Sequence, residues 1–489
     1  MKKFLCVILA LITVASAVMI AGCAKKEDDA DSTVPATDTV TTEEDTSEPD
    51  GLPEEKFGGR EFRIITTEVS ERDIFTEDHM TTDPLHDAVL TRNLNVEERF
   101  GVKIKVTVDG YASVTDRIKR AVKAGSDEYD LCFVHMVNGA VLAQDNDILP
   151  FEKLPYVDFS KPWWDSDIKN GFSIRNNLMM ANGDISPTSF NFTACLYFNK
   201  KMFDNLDLEY PYKLVKEGKW TLDRLIELTK EVSQDKDNDG KISRDSSEDV
   251  FGLTCYFLNT PYSFYYGAGG MLVSKDENDV PFFDPQNERD TAIYDKIYKA
   301  LITSRANFET DESYELNVIK IFQEGRAMFW DHNLSAAEFL RDMNDDYGFI
   351  PEPKLDDSQD DYRSFVNGAS SMICVPATVK PDNREYVSII TEALASEAYK
   401  IITPALIEQY IKRKMTRDAD SAEMVDYIVR KRVFDMAYVN LWDGAGSYVR
   451  DLLRNKSATG VSSKLKNLTS QSKRKIERIV KAFDASLRS

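Results

Sequence analysis

The chain has 489 residues, of which 42% are hydrophobic and 11% aromatic, a composition typical of a globular protein and not of a disordered or fibrous one. Its 83 acidic and 61 basic residues give a formal net charge of −22, which argues against a nucleic-acid partner and suits a soluble surface protein. The length exceeds what one hydrophobic core usually holds, so two lobes are expected.

The first 22 residues have the composition of a bacterial lipoprotein signal peptide. Lys2 and Lys3 precede a long apolar run, which ends in small residues directly before Cys23. This ending resembles a lipobox, so we predict that residues 1–22 are removed and that Cys23 carries lipid. The protein would then work on the extracellular face of the cell membrane. A transmembrane anchor is the alternative, because the run is barely long enough to span a bilayer.

Residues 23–56 are predicted to be a disordered acidic tether that follows the lipidated cysteine. The segment 24–57 holds twelve acids, three lysines and eight serine or threonine residues, with no aromatic residue before Phe57. Such a segment cannot bury enough apolar surface to offset its chain entropy. We therefore expect it to be solvated and to hold the globular body away from the membrane. A processed pro-segment is the alternative.

The remaining cysteines are widely spaced and lie in apolar runs. Of the six cysteines in the chain, Cys6 is removed with the signal peptide and Cys23 is taken by lipid. No metal-ligand spacing links the others, so buried free thiols are expected, with one disulfide left open. These residues are Cys132, Cys195, Cys255 and Cys374.

Beyond the tether, segments typical of strands alternate with segments typical of helices. Strands are predicted at 60–67, 102–108 and 129–135, and helices at 83–100 and 113–124. This rhythm predicts a parallel sheet with right-handed crossovers. Ligands of open α/β sheets lie beyond the carboxyl ends of strands, which points to the loops after the first and third strands. The candidate ligand-binding residues there are Glu68, His135, Met136 and Asn138.

A second α/β unit is predicted to start near Gly183. A strand is expected at 194–198, and Thr221 is predicted to cap a helix that ends at Gln234. The basic amphipathic helix at 473–487 is interpreted as docked on the surface, with contact to anionic lipid as the alternative. The other late elements are a strand-like run at 363–376 and helices at 384–397 and 404–415.

Four short segments, taken in order, resemble those of a known family. They are 196–203 (LYFNKKMF), 218–223 (GKWTLD), 322–329 (FQEGRAMF) and 347–354 (YGFIPEPK). Together they resemble the carbohydrate-binding group, family 1, of the extracellular solute-binding proteins of bacterial ABC importers, in lipoprotein form. The resemblance covers roughly residues 60–440.

The resemblance implies an α/β, two-lobe periplasmic-binding-protein-like fold of type 2, with hinge crossovers and extra C-terminal helices. The cleft between the lobes would close on the ligand. The crossovers are predicted near 182–184 and 365–368, where a glycine lies among polar residues between apolar strands. The predicted boundaries are 57–182 plus 364–405 for lobe 1, and 183–363 plus the C-terminal helices of 406–489 for lobe 2.

The function implied is the capture of an extracellular carbohydrate, which we expect to be an oligosaccharide, and its delivery to the permease subunits of an ABC transporter. The protein is expected to be a monomer without enzymatic activity. The four histidines lie in no zinc spacing, and neither a G-x-S-x-G elbow nor a P-loop occurs. The alternatives are a surface-anchored glycoside hydrolase, since many acids leave a catalytic carboxylate pair open, a binder of a non-sugar solute such as a peptide, and a structural or adhesive lipoprotein.

Aromatic residues are the main clue to the ligand, because sugar rings stack on flat apolar faces while polar side chains bind their hydroxyls. Packing in the core is the alternative role for each of these rings. The predicted ring contacts are Trp163, Trp164, Tyr262, Phe264, Tyr265, Tyr266 and Trp330. The predicted hydroxyl-binding residues beside them are Asp331, Asn333 and Asn367.

Residues 235–242 (DKDNDGKI) reproduce the start of an EF-hand-type calcium loop. Acids at its first, third and fifth positions converge on a hard cation, and the glycine at the sixth allows the sharp turn. Ser246 stands at the twelfth position in place of glutamate, so a later acid must close the shell. A solvated acidic turn is the alternative. The predicted ligands of a structural calcium ion are Asp235, Asp237, Asp239, the carbonyl of Lys241, and Glu248 or Asp249.

Overall fold

The computed structural model describes residues 48–75, 83–309, 315–407, 418–440 and 442–488. From Pro49 onward the chain forms one compact unit. The predicted signal peptide, Cys23 and most of the predicted tether lie outside the described residues. Within the described ranges, every helix is too short or too polar to cross a membrane.

The described strands form two large sheets of five strands each and two small sheets of two strands each. In chain order the strands are β1 (Arg60–Thr67), β2 (Val102–Asp109), β3 (Leu131–His135), β4 (Ile148–Leu149), β5 (Ala194–Asn199), β6 (Phe251–Tyr256), β7 (Val273–Lys275), β8 (Pro281–Phe283), β9 (Asn307–Glu309), β10 (Ala327–Asn333), β11 (Tyr347–Ile350), β12 (Ser364–Phe365), β13 (Ser371–Pro376) and β14 (Arg432–Val433).

Helices occupy most of the connections between these strands. The α-helices span Pro84–Phe100, Val114–Ala124, Met136–Gln144, Ser166–Phe172, Thr188–Asn191, Lys200–Asn205, Tyr212–Lys216, Leu222–Thr229, Thr260–Gly267, Asn287–Tyr298, Glu315–Gln323, Pro381–Pro404, Ala419–Val429, Met436–Asn440, Tyr448–Arg454 and Val461–Arg488. Shorter turns of 3-10 helix span Ser70–Asp73, Phe151–Lys153, Leu334–Leu340 and Trp442–Ser447, and a π-helical turn spans Lys299–Thr303.

The first large sheet, sheet 1, has the strand order β2-β1-β3-β13-β4. Strand β1 runs parallel to β2 and to β3, as the alternating pattern predicted. Strand β13 arrives from far along the chain and runs antiparallel to β3 and β4. Every residue of β3 is buried, as expected for a central strand that is covered on both faces.

The second large sheet, sheet 2, has the strand order β11-β5-β10-β6-β9. Its central strand β10 runs parallel to β6 and antiparallel to β5. The core around it is aromatic, since the Trp330 ring lies 5.2 Å from Tyr197 and 5.5 Å from Phe322. Two sheets of this kind, flanked by helices, confirm the predicted α/β class.

Two segments that connect the sheets lie side by side. The chain passes residues 182–184 on its way from β4 to β5, and it passes 365–368 on its way from β11 to β13. Ala181, directly before the first segment, exchanges backbone hydrogen bonds with Ile373 on β13, which follows the second segment. The hinge role of these segments, and the lobe boundaries drawn from it, remain predictions.

Gly183 allows a close approach of two backbones in the first of these segments. A Cβ atom at this position would lie 2.1 Å from the carbonyl oxygen of Trp163, which no side chain can accommodate. The neighbouring Asn182 side chain donates a hydrogen bond to the carbonyl of Ser371 on β13. The segment is therefore held against sheet 1 at Asn182 and against the loop of Trp163 at Gly183.

The packed body begins earlier than the sequence predicted. Asp50 pairs with Arg99 on the helix Pro84–Phe100, and Leu52 is buried. The Phe57 N–H donates to the carbonyl of Phe100 at 2.7 Å. Composition predicts that these residues belong to the tether, but it does not reveal partners elsewhere in the chain. Residues 50–57 therefore pack against the body, and the tether stays a prediction for the residues outside the described part of the chain.

The helix that follows Thr221 is shorter than predicted. The Thr221 side chain accepts a hydrogen bond from the Arg224 N–H, which confirms the predicted cap. The helix ends at Thr229, and Gln234 exchanges backbone hydrogen bonds with Val250 instead. This pairing closes the neck of the acidic loop at 235–249.

Two later helices are longer than predicted. The helix expected at 384–397 is part of Pro381–Pro404, whereas most of the segment 404–415 lies outside the described residues. The final helix starts at Val461, because buried apolar residues at helical spacing precede its basic segment. The final helix contacts the helix Met136–Gln144 as well as β8 and the helix Asn287–Tyr298.

Candidate ligand-binding cleft

A central cavity of about 510 Å³ lies between the two large sheets. A second cavity of about 410 Å³ adjoins it, and the two share Asn259 and Asn367 in their linings. We call the second one the tyrosine cavity, because Tyr111, Tyr262 and Tyr438 line it. The two amide side chains stand where the cavities meet, so they face both.

A third cavity of about 460 Å³ adjoins the central one on another side. It shares Arg72 and Glu338 with the central cavity, and we call it the arginine cavity after Arg72 and Arg341. The three cavities form one row, which we call the cleft. Its shape is elongated, with the central cavity in the middle.

The strand ends of sheet 1 form one wall of the cleft. Glu68 directly follows β1, Tyr111 follows β2, and His135 is the last residue of β3. Because these strands are parallel, their carboxyl ends meet at one edge of the sheet. Strand β13 begins opposite His135, which brings the segment 367–369 to the same edge.

The strand ends of sheet 2 form the facing wall. Tyr256 ends β6 and Asn333 ends β10, and these two strands are parallel. The 3-10 helix Leu334–Leu340 continues from β10 along the cleft and carries Glu338 and Phe339. The carboxyl ends of parallel strands from both sheets therefore face one cleft.

Hydrogen bonds hold the amide side chains of the cleft in place. The Asn367 side chain donates to the side-chain oxygen of Asn259 at 2.6 Å and accepts from the Ala369 N–H at 2.8 Å. The side-chain oxygen of Asn333 accepts from the Ser335 hydroxyl at 2.8 Å. Amides that are positioned before a ligand arrives lose little freedom on binding it.

His135 offers an unused hydrogen-bonding atom at the tyrosine cavity. Its ring lies 4.6 Å from the exposed ring of Tyr111, and its Nε2 is buried without a partner among the described residues. Burial lowers the pKa of His135 to about 4, although the negative charge of Glu68 acts in the opposite direction. The imidazole is therefore neutral at physiological pH and suited to a neutral hydroxyl.

Two aromatic side chains are exposed along the cleft. Tyr111 is 46% exposed at the tyrosine cavity, and Phe339 is 49% exposed at the central cavity. They belong to opposite walls, since Tyr111 follows a strand of sheet 1 and Phe339 follows a strand of sheet 2. An exposed ring on each wall is the arrangement in which a sugar ring can stack.

Most of the aromatic residues predicted to contact the ligand lie in the core instead. Tyr262 lines the tyrosine cavity, but every residue of its helix Thr260–Gly267 is buried. The Tyr265 hydroxyl donates to Asp290, and Tyr266 stacks on Phe365. The predicted aromatic residues that line none of the three cavities and are at most 2% exposed are Trp163, Phe264, Tyr265, Tyr266 and Trp330.

Trp163 and Trp164 hold a buried carboxyl group and line none of the three cavities. Their indole N–H groups donate to the two oxygens of Glu392 at 2.8 and 3.0 Å. Burial raises the pKa of Glu392 to about 7, although these hydrogen bonds act in the opposite direction. The tryptophan pair therefore fastens the loop before the helix Ser166–Phe172 to the helix Pro381–Pro404.

The predicted polar residues also divide into some that line the cleft and others that do not. Four of the predicted polar residues line the cleft: Glu68, His135, Asn333 and Asn367. The other two, Asn138 and Asp331, are described by the structure but line none of the three cavities. Asp331 is buried behind the wall, where it accepts a hydrogen bond from the Thr260 hydroxyl. Met136 is buried, and the Asn138 side chain donates to the Tyr111 carbonyl at 3.0 Å, supporting the loop that carries that ring.

Several residues of the cleft escaped the sequence-based prediction. Tyr111 follows a predicted strand, so the strand-end rule points to it once the edge strand β2 is included. Phe339 and Asn259 have no comparable signal, because they lie on a 3-10 turn and a loop that no motif marks. The lining residues that were not predicted include Arg72, Tyr111, Asn191, Asn259, Phe339 and Tyr438.

The acidic loop lies apart from the cleft. Asp235, Asp237 and Asp239 offer oxygens that all lie within 4.8 Å of one another. One oxygen of Asp235 is buried without a partner among the described residues. Carboxylates that converge in this way fit a hard cation such as calcium.

The two residues expected to close the calcium shell differ in position. Glu248 is exposed, whereas Asp249 is buried and accepts hydrogen bonds from the N–H groups of Lys236 and Ser243 at 2.9 and 2.7 Å. These donors lower the pKa of Asp249, although burial acts in the opposite direction. Asp249 therefore clamps the two sides of the loop.

The architecture is that of a two-lobe binding protein of the periplasmic type, as comparison with solved structures shows. A substrate-binding protein of an ABC transporter from Listeria monocytogenes, in complex with cycloalternan, is 14% identical, and the match covers 86% of this chain and 99% of that chain with a TM-score of 0.54. A maltose/maltodextrin-binding domain from Bdellovibrio bacteriovorus, bound to maltotriose, is 12% identical over 85% of this chain and 100% of that chain, with a TM-score of 0.53.

A third similar structure has a ligand that is not a sugar. UgpB from Mycobacterium tuberculosis, in complex with glycerophosphocholine, is 13% identical over 87% of this chain and 98% of that chain, with a TM-score of 0.54. No curated protein sequence matches the chain. Residues 95–400 match the model of the family described as bacterial extracellular solute-binding protein. The chain therefore belongs to that family, as the four sequence segments indicated.

Proposed function

We propose that the protein binds an extracellular oligosaccharide in the cleft and delivers it to the permease subunits of an ABC transporter. The row of three adjoining cavities carries this proposal, because an elongated site accommodates several linked sugar rings. Its lining combines exposed aromatic rings with fixed amide groups, the combination that sugar faces and hydroxyls require. Membership of the solute-binding family and the sugars held by two similar structures support it.

Specific roles follow for the residues that line the cleft. We propose that Tyr111 and Phe339 stack on sugar rings from opposite walls. Asn333 and Asn367 would exchange hydrogen bonds with hydroxyl groups, and the Nε2 of His135 would accept one. We propose that these residues bind the sugar without catalysing a reaction.

Thermal melting of the protein in the presence of linear and cyclic oligosaccharides tests this proposal. A sugar that raises the melting temperature and is recovered intact identifies the ligand class, because only the folded protein binds it. Recovery of shortened sugar would instead support the surface glycoside hydrolase. A shift with glycerophosphocholine or peptides alone would assign the cleft to a non-sugar solute.

We further propose that the protein is a monomer held on the outer face of the membrane by lipid on Cys23. The small residues before Cys23 and the acidic segment behind it support this arrangement. Labelling of cells with a radioactive fatty acid tests it. The unaltered protein is expected to take up label, and Cys23→Ser is expected to take up none.

We also propose that the acidic loop binds a structural calcium ion through Asp235, Asp237 and Asp239. One oxygen of Asp235 is buried and has no partner within the described part of the chain, which supports this proposal because such an atom gains most from a cation. The Lys241 carbonyl and Glu248 complete the proposed set of ligands. The ion would fix the loop that leads into β6.

A further inference from the structure

A separate cavity lies on the outer surface, away from the cleft, between the final helix and the β7–β8 hairpin. Its volume is about 450 Å³, comparable with that of a single lipid acyl chain. Pro281 and Phe282 line it from the hairpin, and Ile476 and Val480 line it from the final helix. We call it the hairpin groove. Along the helix its lining residues extend from Thr469 to Asp484, which corresponds to about 22 Å.

The face of the final helix beside the hairpin groove is strongly basic. Eight basic and two acidic residues give this helix a charge of +6, in a chain whose net charge is −22. Lys473, Arg474, Arg478 and Lys481 are exposed, and helical spacing places them on one face. Lys473 and Lys481 also line the groove itself. A positive face on an acidic protein selects a negatively charged partner.

The two acidic residues of the groove do not cancel this field. Asp484 pairs with Arg175 at 2.6 Å, so its charge is neutralised within the protein. Glu477 lies exposed among the cations, where it leaves an excess of positive charge. The helix side of the groove therefore remains cationic.

The hairpin adds an exposed aromatic ring to the rim. Phe282 is 43% exposed, whereas its neighbour Phe283 is buried, because successive side chains of a strand point to opposite faces. An exposed phenylalanine ring of this kind can bury its apolar face at the boundary between headgroups and acyl chains of a bilayer. Apolar walls, a cationic helix side and an exposed ring together match an amphiphile with an anionic headgroup.

We propose that the hairpin groove and the basic face beside it bind anionic phospholipid at the membrane surface and dock the body of the protein there. The buried face of the final helix packs on the body, so the helix itself does not insert. Only the lipid headgroup and part of one acyl chain would enter the groove. The inference does not depend on which solute fills the cleft.

Flotation with lipid vesicles tests the proposal. The chain from residue 23, carrying Cys23→Ser so that it has no lipid of its own, is mixed with vesicles of phosphatidylcholine alone or of phosphatidylcholine with phosphatidylglycerol. Binding is expected only with phosphatidylglycerol and is expected to weaken as salt increases. In the double variant Lys473→Gln and Lys481→Gln, affinity should fall about 30-fold, since each cation near an anionic bilayer contributes about fivefold.

The matched control is the double variant Lys105→Gln and Lys123→Gln, which removes the same charge from exposed positions of sheet 1 and its following helix. It should bind vesicles as the unaltered chain does, and both double variants should melt at the unaltered temperature. Equal losses in the two double variants, or equal binding to both kinds of vesicle, would overturn the proposal. If the protein bound no vesicles but the Lys473→Gln and Lys481→Gln variant lost solute uptake in cells, the groove would instead contact the permease. That result would also overturn the proposal.

Discussion

Exposure divides the aromatic residues near the cleft into rings that can meet a ligand and rings that build the walls. Tyr111 and Phe339 are 46% and 49% exposed, whereas Trp330 is fully buried. Sequence alone does not separate these two groups, because the dense run at 262–266 and the isolated Tyr111 are equally aromatic. The distinction arises only when distant strands bring their ends together at one edge.

Replacing an exposed ring of the cleft is expected to weaken ligand binding without loss of stability. Tyr111→Ala should cost about 0.5–1.5 kcal/mol of binding free energy, since a stacked ring contributes about that much beyond its buried area. Titration calorimetry with the sugar identified by thermal melting measures the change. Tyr399→Ala serves as the control, because Tyr399 is also exposed but lines none of the three cavities. Unchanged affinity in Tyr111→Ala would remove this ring from the site.

Replacing the buried Trp330 should have the opposite effect. Trp330→Ala is expected to lower the free energy of unfolding by about 3–5 kcal/mol, because it leaves a cavity between Tyr197 and Phe322. The folded fraction should keep its affinity for the ligand. Urea unfolding and calorimetry measure the two quantities separately. Weaker ligand binding by Trp330→Ala with unaltered stability would show that Trp330 contacts the ligand.

At the scale of elements, the positions of the strands were predicted well, whereas the pairing of strands that lie far apart in the chain was not. The strands β1, β3 and β5 stand close to their predicted positions, because alternating or continuous apolar runs are local signals. The antiparallel entry of β13 between β3 and β4 depends on residues more than two hundred positions away, which no local pattern reveals. The same holds for the ion pair of Asp50 with Arg99, which extends the packed body toward the N-terminus.

The helix Pro381–Pro404 carries a pH-sensitive contact at Glu392. Burial raises the pKa of Glu392 to about 7 from an ordinary 4.5, so the folded state holds its proton more tightly than the unfolded chain. Its contribution to stability is therefore fully present below pH 4.5 and is lost as the pH rises through about 7. The loss amounts to roughly 3 kcal/mol.

Urea unfolding across this pH range, compared between the unaltered protein and Glu392→Gln, measures the effect. The variant should lose part of the downward slope of stability with pH. Glu385→Gln is the control, because Glu385 is exposed on the same helix. An identical slope in the unaltered protein and Glu392→Gln would mean that Glu392 titrates as an exposed carboxyl group does.

The acidic loop is the element with the most direct test. If it binds calcium, a chelator should lower the melting temperature of the protein, since bound metal stabilises only the folded state. Asp237→Asn should abolish the effect of the chelator. Asp245→Asn should preserve it, because Asp245 lies exposed on the same loop outside the cluster of three carboxylates. If the chelator left the melting temperature unchanged, the loop would be a solvated acidic turn without bound calcium.

For the molecule as a whole, the class of the fold could be predicted but the position of the ligand only in part. Strand-end residues such as Glu68 and His135 line the cleft because parallel strands place their ends together, a rule that applies without a structure. Phe339 and Asn259 required the relative placement of two sheets. Resemblance of short motifs identifies the family, but it does not predict how the loops that carry Phe339 and Asn259 lie relative to the rest of the cleft.

The final helix touches the helix that follows β3 of sheet 1, and it also touches β8 and the helix Asn287–Tyr298, which precede the edge strand β9 of sheet 2. A rotation that narrows the cleft must change at least one of these contacts. If the segments 182–184 and 365–368 act as a hinge, the final helix would therefore transmit this rotation to the outer surface. Ligand binding in the cleft would then change the orientation of the helix's basic face relative to the membrane. The occupied and empty states of the protein would therefore differ on its outer surface.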